Sequence, residues 1–339
     1  MSGTPDNLLI RKLAAVIVSL FRDSAVTSFR FLRIMIPISI VTKILKDVGA
    51  VDQLGIILGP VMQLTGLPGS MGLVWATALI TNLYGGIAVF AALAPDANLT
   101  VAQVTILTTM MLVAHGLPLE LRIAQQAGPR LRMMLLLRMG GALLIGGILN
   151  MIYSHGQFLQ QPNSAIWDPG SPDASWKAWT VSTLQTAVTV FVIILSLLLL
   201  MRILKRLGVT DFLTRLLEPV LRLLGMSREA APVTIIGMIL GLAYGGSLII
   251  QEARSGSMSK RDIFMSLALM GLTHSVIEDT LLMAAIGGHM SGICWGRIAF
   301  SLVVVYVLHL IFRRMSDATF ERYFFRPKTA PAPADKSAP

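Results

Sequence analysis

Two histidines stand in the middle of apolar runs, and each is followed by acidic residues. The first is His115, with Glu120 just beyond it; the second is His274, followed by Ser275, Glu278 and Asp279. Imidazole changes charge near neutral pH. Ionisable groups inside an apolar span are costly, so they face a cavity or pair with one another. Three chemistries fit. One is polar-ligand binding with proton relay through His115, Glu120, His274, Ser275, Glu278 and Asp279. A second is a divalent-metal site, because imidazole and carboxylate both ligate such ions. The third is a structural pairing of interrupted helices, with Arg138 and Arg297 as counter-charges. On a continuous helix His274 and Glu278 would share one face. The rule that intramembrane charges are functional favours the first reading, a coupling or relay cluster using H⁺ or Na⁺, with no resident metal and no organic cofactor.

A second set of candidates surrounds a repeated triplet. Tyr84-Gly85-Gly86 and Tyr244-Gly245-Gly246 each lie in an otherwise apolar run upstream of one of the histidines. Glycine permits tight turns and close backbone approach, and the two tyrosines offer flat faces to a solute. With Asn82 beside the first triplet and Ser247, Gln251 and Glu252 beside the second, these residues form the expected substrate-binding set. The competing reading is that the glycines only let helices pack closely. Enzyme chemistry lacks a scaffold, since the chain has no G-x-x-x-x-G-K-[ST], no G-x-S-x-G and no H-E-x-x-H. The chain is therefore read as not an enzyme. Its single cysteine, Cys294, excludes an internal disulfide.

The elements that must position these residues are membrane helices. Hydrophobic residues make up 54% of the chain and charged residues 14%, against roughly a quarter charged in soluble domains. Several apolar stretches approach the length that crosses a bilayer. The net charge of +10 is not taken as a nucleic-acid signal, because the basic residues flank apolar segments, as topology determinants do. The order of features occurs twice. His115 and His274, Gly128 and Gly287, Arg138 and Arg297, and Pro60 and Pro219 all stand 159 residues apart, while the Tyr-Gly-Gly triplets stand 160 apart. This predicts an amphipathic surface helix over 1–28 and a first repeat over 29–153. A polar external loop over 154–178, a second repeat over 179–315 and a largely disordered cytoplasmic tail over 316–339 follow.

Basic residues set the sidedness. Between Asp47 and Leu121 there is no lysine or arginine, whereas the equivalent stretch from Arg206 to Thr280 carries seven. Short basic loops stay in the cytoplasm, so the two repeats are expected to be inverted. The fold class that follows is an all-α polytopic membrane protein. Each repeat has an interfacial helix, a re-entrant hairpin broken at Tyr-Gly-Gly and about three crossings, and both termini are cytoplasmic. Duplicated, interrupted helices of this kind form transporter sites where the halves meet. The expected partners are the lipid bilayer and a small polar solute, with no nucleic acid; self-association is left open.

Repeated interfacial helices, Tyr84-Gly85-Gly86 and Tyr244-Gly245-Gly246, and the following broken segments with His115 and His274 resemble the nucleoside recognition, or Gate, family. That family includes the spore maturation proteins A and B and the Gate segments of the ferrous iron transporter B proteins. The resemblance covers roughly Phe29 to Met315 and implies an inner-membrane protein with a transporter-like core. Secondary transport of a nucleoside-like, amino-acid-like or peptide-like solute is the leading expectation. A non-transporting membrane scaffold and a divalent-metal permease are the alternatives. The chain has no GTPase domain, unlike the iron transporters, and no additional helices of a full concentrative nucleoside transporter.

Overall fold

The computed structural model describes residues 5–163 and 175–325, and they are helical almost throughout. The helices are α1 (Pro5–Asp47), α2 (Ala50–Gln63), α3 (Met71–Ile80), α4 (Leu83–Ala97), α5 (Val101–Val113), α6 (Leu117–Ala127) and α7 (Leu131–Gly156). A second series follows: α8 (Trp176–Arg206), α9 (Val209–Leu223), α10 (Ala230–Leu240), α11 (Leu242–Ser255), α12 (Lys260–Leu272), α13 (Glu278–Ala285), a π-helical turn over Ser291–Gly296, α14 (Arg297–Arg313) and α15 (Asp317–Phe324). Among the described residues, five helical stretches are long and apolar enough to cross a membrane: Val18–Asp47, Val101–Ala127, Leu131–Gly156, Trp176–Leu204 and Ser291–Arg313.

The 159-residue spacing of the sequence returns as backbone geometry. The residues after α2 and α9 make the same stop: Leu67 N–H donates to Met62 O at 3.1 Å and Met226 N–H to Leu221 O at 3.1 Å. Between them sit Gly66 at φ 70° and Gly225 at φ 79°, the left-handed position that a helix C-terminus fills with glycine. At the next break, Gly116 N–H donates to Ala78 O at 2.9 Å, and Val276 N–H donates to Met238 O at 3.0 Å. Each hydrogen bond ties the interruption of one helix to the end of another.

Burial follows from composition. Helix α5, and α12 beyond its charged first turn, carry no charged residue, as suits helices inside a bundle. Val104 to Val113 and Ile263 to Leu272 are buried without exception. Helix α7 packs on α5 and α14 on α12, turning Leu136 and Leu144, and Val303 and Val307, outward. Apolar side chains left facing outward on long helices suit a lipid surface.

The structure departs from the sequence expectations at three places. First, the helix breaks do not fall in the Tyr-Gly-Gly triplets but just before them. Thr81 and Asn82 leave helical geometry, and the Asn82 side chain accepts from Gly85 N–H at 3.0 Å as an N-cap. In the second half Gly241, at φ 98° and ψ 161°, makes the break, a conformation open only to glycine. The new helices start at Leu83 and Leu242, 159 apart, and the triplet lies one residue further into α11 than into α4. The triplets form the first turns of α4 and α11.

Second, α1 runs unbroken from Pro5 to Asp47, so no interruption at residue 28 separates a surface helix from a span. No proline or glycine lies between Pro5 and Pro37 to stop it. The side chains of residues 5–17, and with them most of the expected amphipathic face, lie outside the described residues. Third, the tail is ordered further than its composition suggests. Helix α15 docks through Phe320, which meets Phe264, Phe312 and Phe324 with ring centroids 4.9–6.0 Å apart. Arg130 N–H also donates to Phe324 O at 2.8 Å. The stretch from residue 326 onward, and residues 164–174 of the polar loop, lie outside the described residues.

Candidate functional site

The chain leaves α5 at Ala114, turns through His115 and Gly116 (φ 55°), and restarts as α6 with Pro118 in the first turn. Pro118 lacks an N–H that this position would leave unpaired anyway. In the second half the chain leaves α12 at Thr273, passes His274 and Ser275 (φ 45°), and restarts at Glu278 as α13. The helix is therefore interrupted between His274 and Glu278, and the i,i+4 pairing that a continuous helix would give does not form. His274 instead turns towards the other half of the molecule.

There it meets its counterpart. His115 Nε2 and His274 Nε2 stand 3.3 Å apart, with ring centroids 5.0 Å apart and planes tilted by 46°. The far side of each ring is committed. His115 Nδ1 is 2.8 Å from Met111 O, and His274 Nδ1 is 2.8 Å from Met270 O. A carbonyl only accepts, so each Nδ1 carries a proton and donates it. In the neutral tautomer the two facing Nε2 atoms are then both acceptors. Glu120 adds a third acceptor, its Oε1 lying 3.3 Å from His115 Nε2 and 3.5 Å from His274 Nε2.

Two arginines back this centre. Arg138 forms an ion pair through Nη1 with Glu120 Oε2, and its Nε donates to Val113 O at 3.2 Å. Arg297 Nη2 donates to His274 O at 3.2 Å. Exposure is 6% for His115, 4% for His274, 2% for Arg138 and nil for Arg297. Asp279 brings a carboxylate to within 4.8 Å of both imidazoles, accepts from the Ser275 hydroxyl, and shares an electrostatic neighbourhood with Arg297, Glu278 and Glu120. Arg138 Nη2, Arg297 Nε and Arg297 Nη1 are buried without a hydrogen-bond partner among the described residues. Orphaned donors of this kind are rare in folded proteins and mark a place where something polar is expected.

The residues of the expected substrate-binding set have different surroundings in the fold. Tyr84, half-buried, lies within electrostatic reach of Glu278 and Asp279 of the second half. The four glycines sit at contacts where a side chain has no room. A Cβ on Gly86 would strike Met111 and Ala78, one on Gly245 the backbone of Gly237, and one on Gly246 Ile123; on Gly85 it would meet Thr81 and Ile38. Asn82 is committed to its cap. Ser247 and Gln251 are exposed on α11, and Glu252 accepts from the Ser257 hydroxyl at the far end of that helix. The side chain of Tyr244 lies outside the described residues.

The site also uses groups that residue type alone does not reveal. The carbonyls of Met111 and Met270 orient the imidazoles, and the signal for them was their own 159-residue spacing. Ser301 Oγ donates to Thr273 Oγ1 at 3.0 Å behind the second break. Nothing in the sequence marks that pair beyond two hydroxyls in apolar runs.

Comparison with known proteins places this architecture. A family model described as nucleoside recognition (Gate) matches residues 28–129 and 187–308, with His115 in the first block and His274 in the second. An uncharacterized membrane protein of Bacillus subtilis (strain 168), YvoD, is 28% identical over 265 residues, which cover 77% of this chain and 83% of that protein. No solved structure matches.

Proposed function

The chain belongs to the nucleoside recognition (Gate) family of membrane proteins, and from that premise we propose that it is a secondary transporter of a small polar solute. Nucleoside-like, amino-acid-like and peptide-like solutes are the classes considered. In this reading the protein lies in the inner (cytoplasmic) membrane with both termini in the cytoplasm. Its halves are inverted, and the pairs α3–α4 and α10–α11 enter from opposite faces as re-entrant hairpins. The asymmetric distribution of lysine and arginine between the halves supports the inversion.

One observation carries the proposal. Equivalent residues of the two halves, His115 with His274 and Arg138 with Arg297, converge with Glu120 and Asp279 on one buried polar centre. Such a centre inside an apolar protein is expensive to maintain for packing alone, and its symmetry is that of an alternating-access site at a repeat interface. The unpartnered nitrogens of Arg138 and Arg297 favour a solute carrying a carboxylate or another anionic oxygen.

Thermal unfolding of the purified protein against nucleosides, amino acids and dipeptides tests the reading. A ligand that binds only the folded state adds about 2.7 kcal/mol at a hundredfold excess over its dissociation constant. One solute class is expected to raise Tm, and Arg297→Lys to remove that rise while the protein remains monodisperse. Folded protein that responds to no solute contradicts transport and favours a scaffold.

A further inference from the structure

The triangle formed by His115 Nε2, His274 Nε2 and Glu120 Oε1 has edges of 3.3, 3.3 and 3.5 Å. All three atoms are acceptors in the tautomer fixed by the Met111 and Met270 carbonyls. Three acceptors turned towards one another repel unless a positive charge lies between them. A hydrogen bond along any one edge would be long, since such bonds centre near about 2.9 Å. The edges fit another geometry. Two donors each bound at about 2.0–2.1 Å to one tetrahedral ion stand roughly 3.3–3.4 Å apart, so the triangle has the dimensions of one face of a tetrahedral metal shell.

The surroundings agree with that assignment. Metal-bound histidines donate their second ring N–H to a carbonyl or carboxylate, and ligating carboxylates are themselves hydrogen-bonded. Both imidazoles do the first, and Glu120 Oε2 does the second through Arg138. Asp279 supplies a further oxygen within 4.8 Å of the imidazole nitrogens.

We propose that His115 Nε2, His274 Nε2 and Glu120 Oε1 bind one first-row divalent transition-metal ion, with Asp279 as the fourth ligand, so that the ion bridges the two halves. Two imidazoles with carboxylate select Zn²⁺-like or Co²⁺-like ions over Mg²⁺ and Ca²⁺, which take oxygen shells. Because the ligands come from both halves, separation of the halves must open the shell. The inference does not depend on the transport reading, and none of its readouts involves a solute.

The test loads chelator-treated full-length protein with Co²⁺ and with Zn²⁺. One Co²⁺ per chain is expected, with the intense visible absorption of a tetrahedral site. Zinc X-ray absorption on the wild-type protein is expected to show scattering from two imidazoles and light oxygen neighbours, which requires no variant to fold. His115→Gln and His274→Gln, checked for monodispersity, should each weaken Co²⁺ binding at least as much as the roughly 10–100-fold that outer-shell changes cost. His155→Ala, on the exposed end of α7, should leave it unchanged. Absence of a bound ion after loading, an octahedral Co²⁺ spectrum, zinc scattering without imidazole, or binding that survives both glutamine variants would each overturn the assignment. Solute stabilisation of metal-free protein, alongside any of these results, would leave the transport proposal standing.

Discussion

Replacing Arg138 by methionine is expected to destabilise the folded protein by about 3–5 kcal/mol, the usual penalty for stripping one partner from a buried ion pair. Arg138 is the ion-pair partner of Glu120 Oε2, and Glu120 Oε1 already faces two imidazole acceptors. Without the guanidinium, and in metal-free protein, a carboxylate would be left among acceptors with little water to compensate. The loss is thus assigned to the stranded Glu120, and that assignment makes a second prediction inside the first. Adding Glu120→Gln to Arg138→Met should recover most of the stability, because the double variant buries no unpaired charge. Unfolding in detergent, followed for the two single variants and the double, measures both effects. A single-variant loss below about 1 kcal/mol, the range of exposed pairs, would mean that the cluster is solvated. The surface pair Arg222–Glu218 at 2.5 Å provides that comparison in the same molecule.

Gly245→Ala is expected to lower stability by about 1–3 kcal/mol through overpacking, although alanine is the better helix former. The added methyl would be driven against the Gly237 backbone and the Met270 side chain. Methionine can move aside; the backbone of α10 cannot do so without displacing the whole α10–α11 pair. Gly140 in α7 is the control, since a Cβ there meets nothing within 4 Å, and Gly140→Ala should gain about 0.5–1 kcal/mol. Comparing the two melting temperatures separates the contact from propensity. Equal and small effects would show that Gly245 is not a packing position and return the triplet to consideration as ligand-facing backbone.

That contrast bears on how the triplets read in the sequence. Tyr-Gly-Gly was legible as a recurring, non-random feature, but glycine in an apolar run signals either a break or a close approach, and the two cannot be told apart without the neighbour. Here the neighbours are Met111 on α5, and Ala78 and Gly237 on the preceding helices α3 and α10, which the breaks fold back against the triplets. The real breaks are marked by Asn82, which reads as a polar ligand until its cap to Gly85 is seen, and by Gly241, one glycine among many. The histidines fared differently. His115 and His274 were legible as candidates because their spacing matched that of everything else in the repeat. Their mutual approach was not, because which faces of two halves meet is a property of tertiary packing. The order in α15 was hidden for a similar reason: Phe320 and Phe324 look like exposed aromatics in a polar tail until Phe264 and Phe312 are placed against them.

The centre at His115 and His274 makes sense as an alternating site only if the two halves enter the membrane from opposite sides. Asp96, at the end of α4, and Ser257, just beyond α11, are both exposed and lie near the ends of corresponding helices of the two halves. Single-cysteine variants Asp96→Cys and Ser257→Cys, built on Cys294→Ser because Cys294 is buried, can be labelled with a membrane-impermeant maleimide in intact cells and again after permeabilisation. The account predicts that Asp96→Cys reacts from outside and Ser257→Cys only after the membrane is opened. Reaction of both from the same side would contradict the inversion and, with it, the shared transport site.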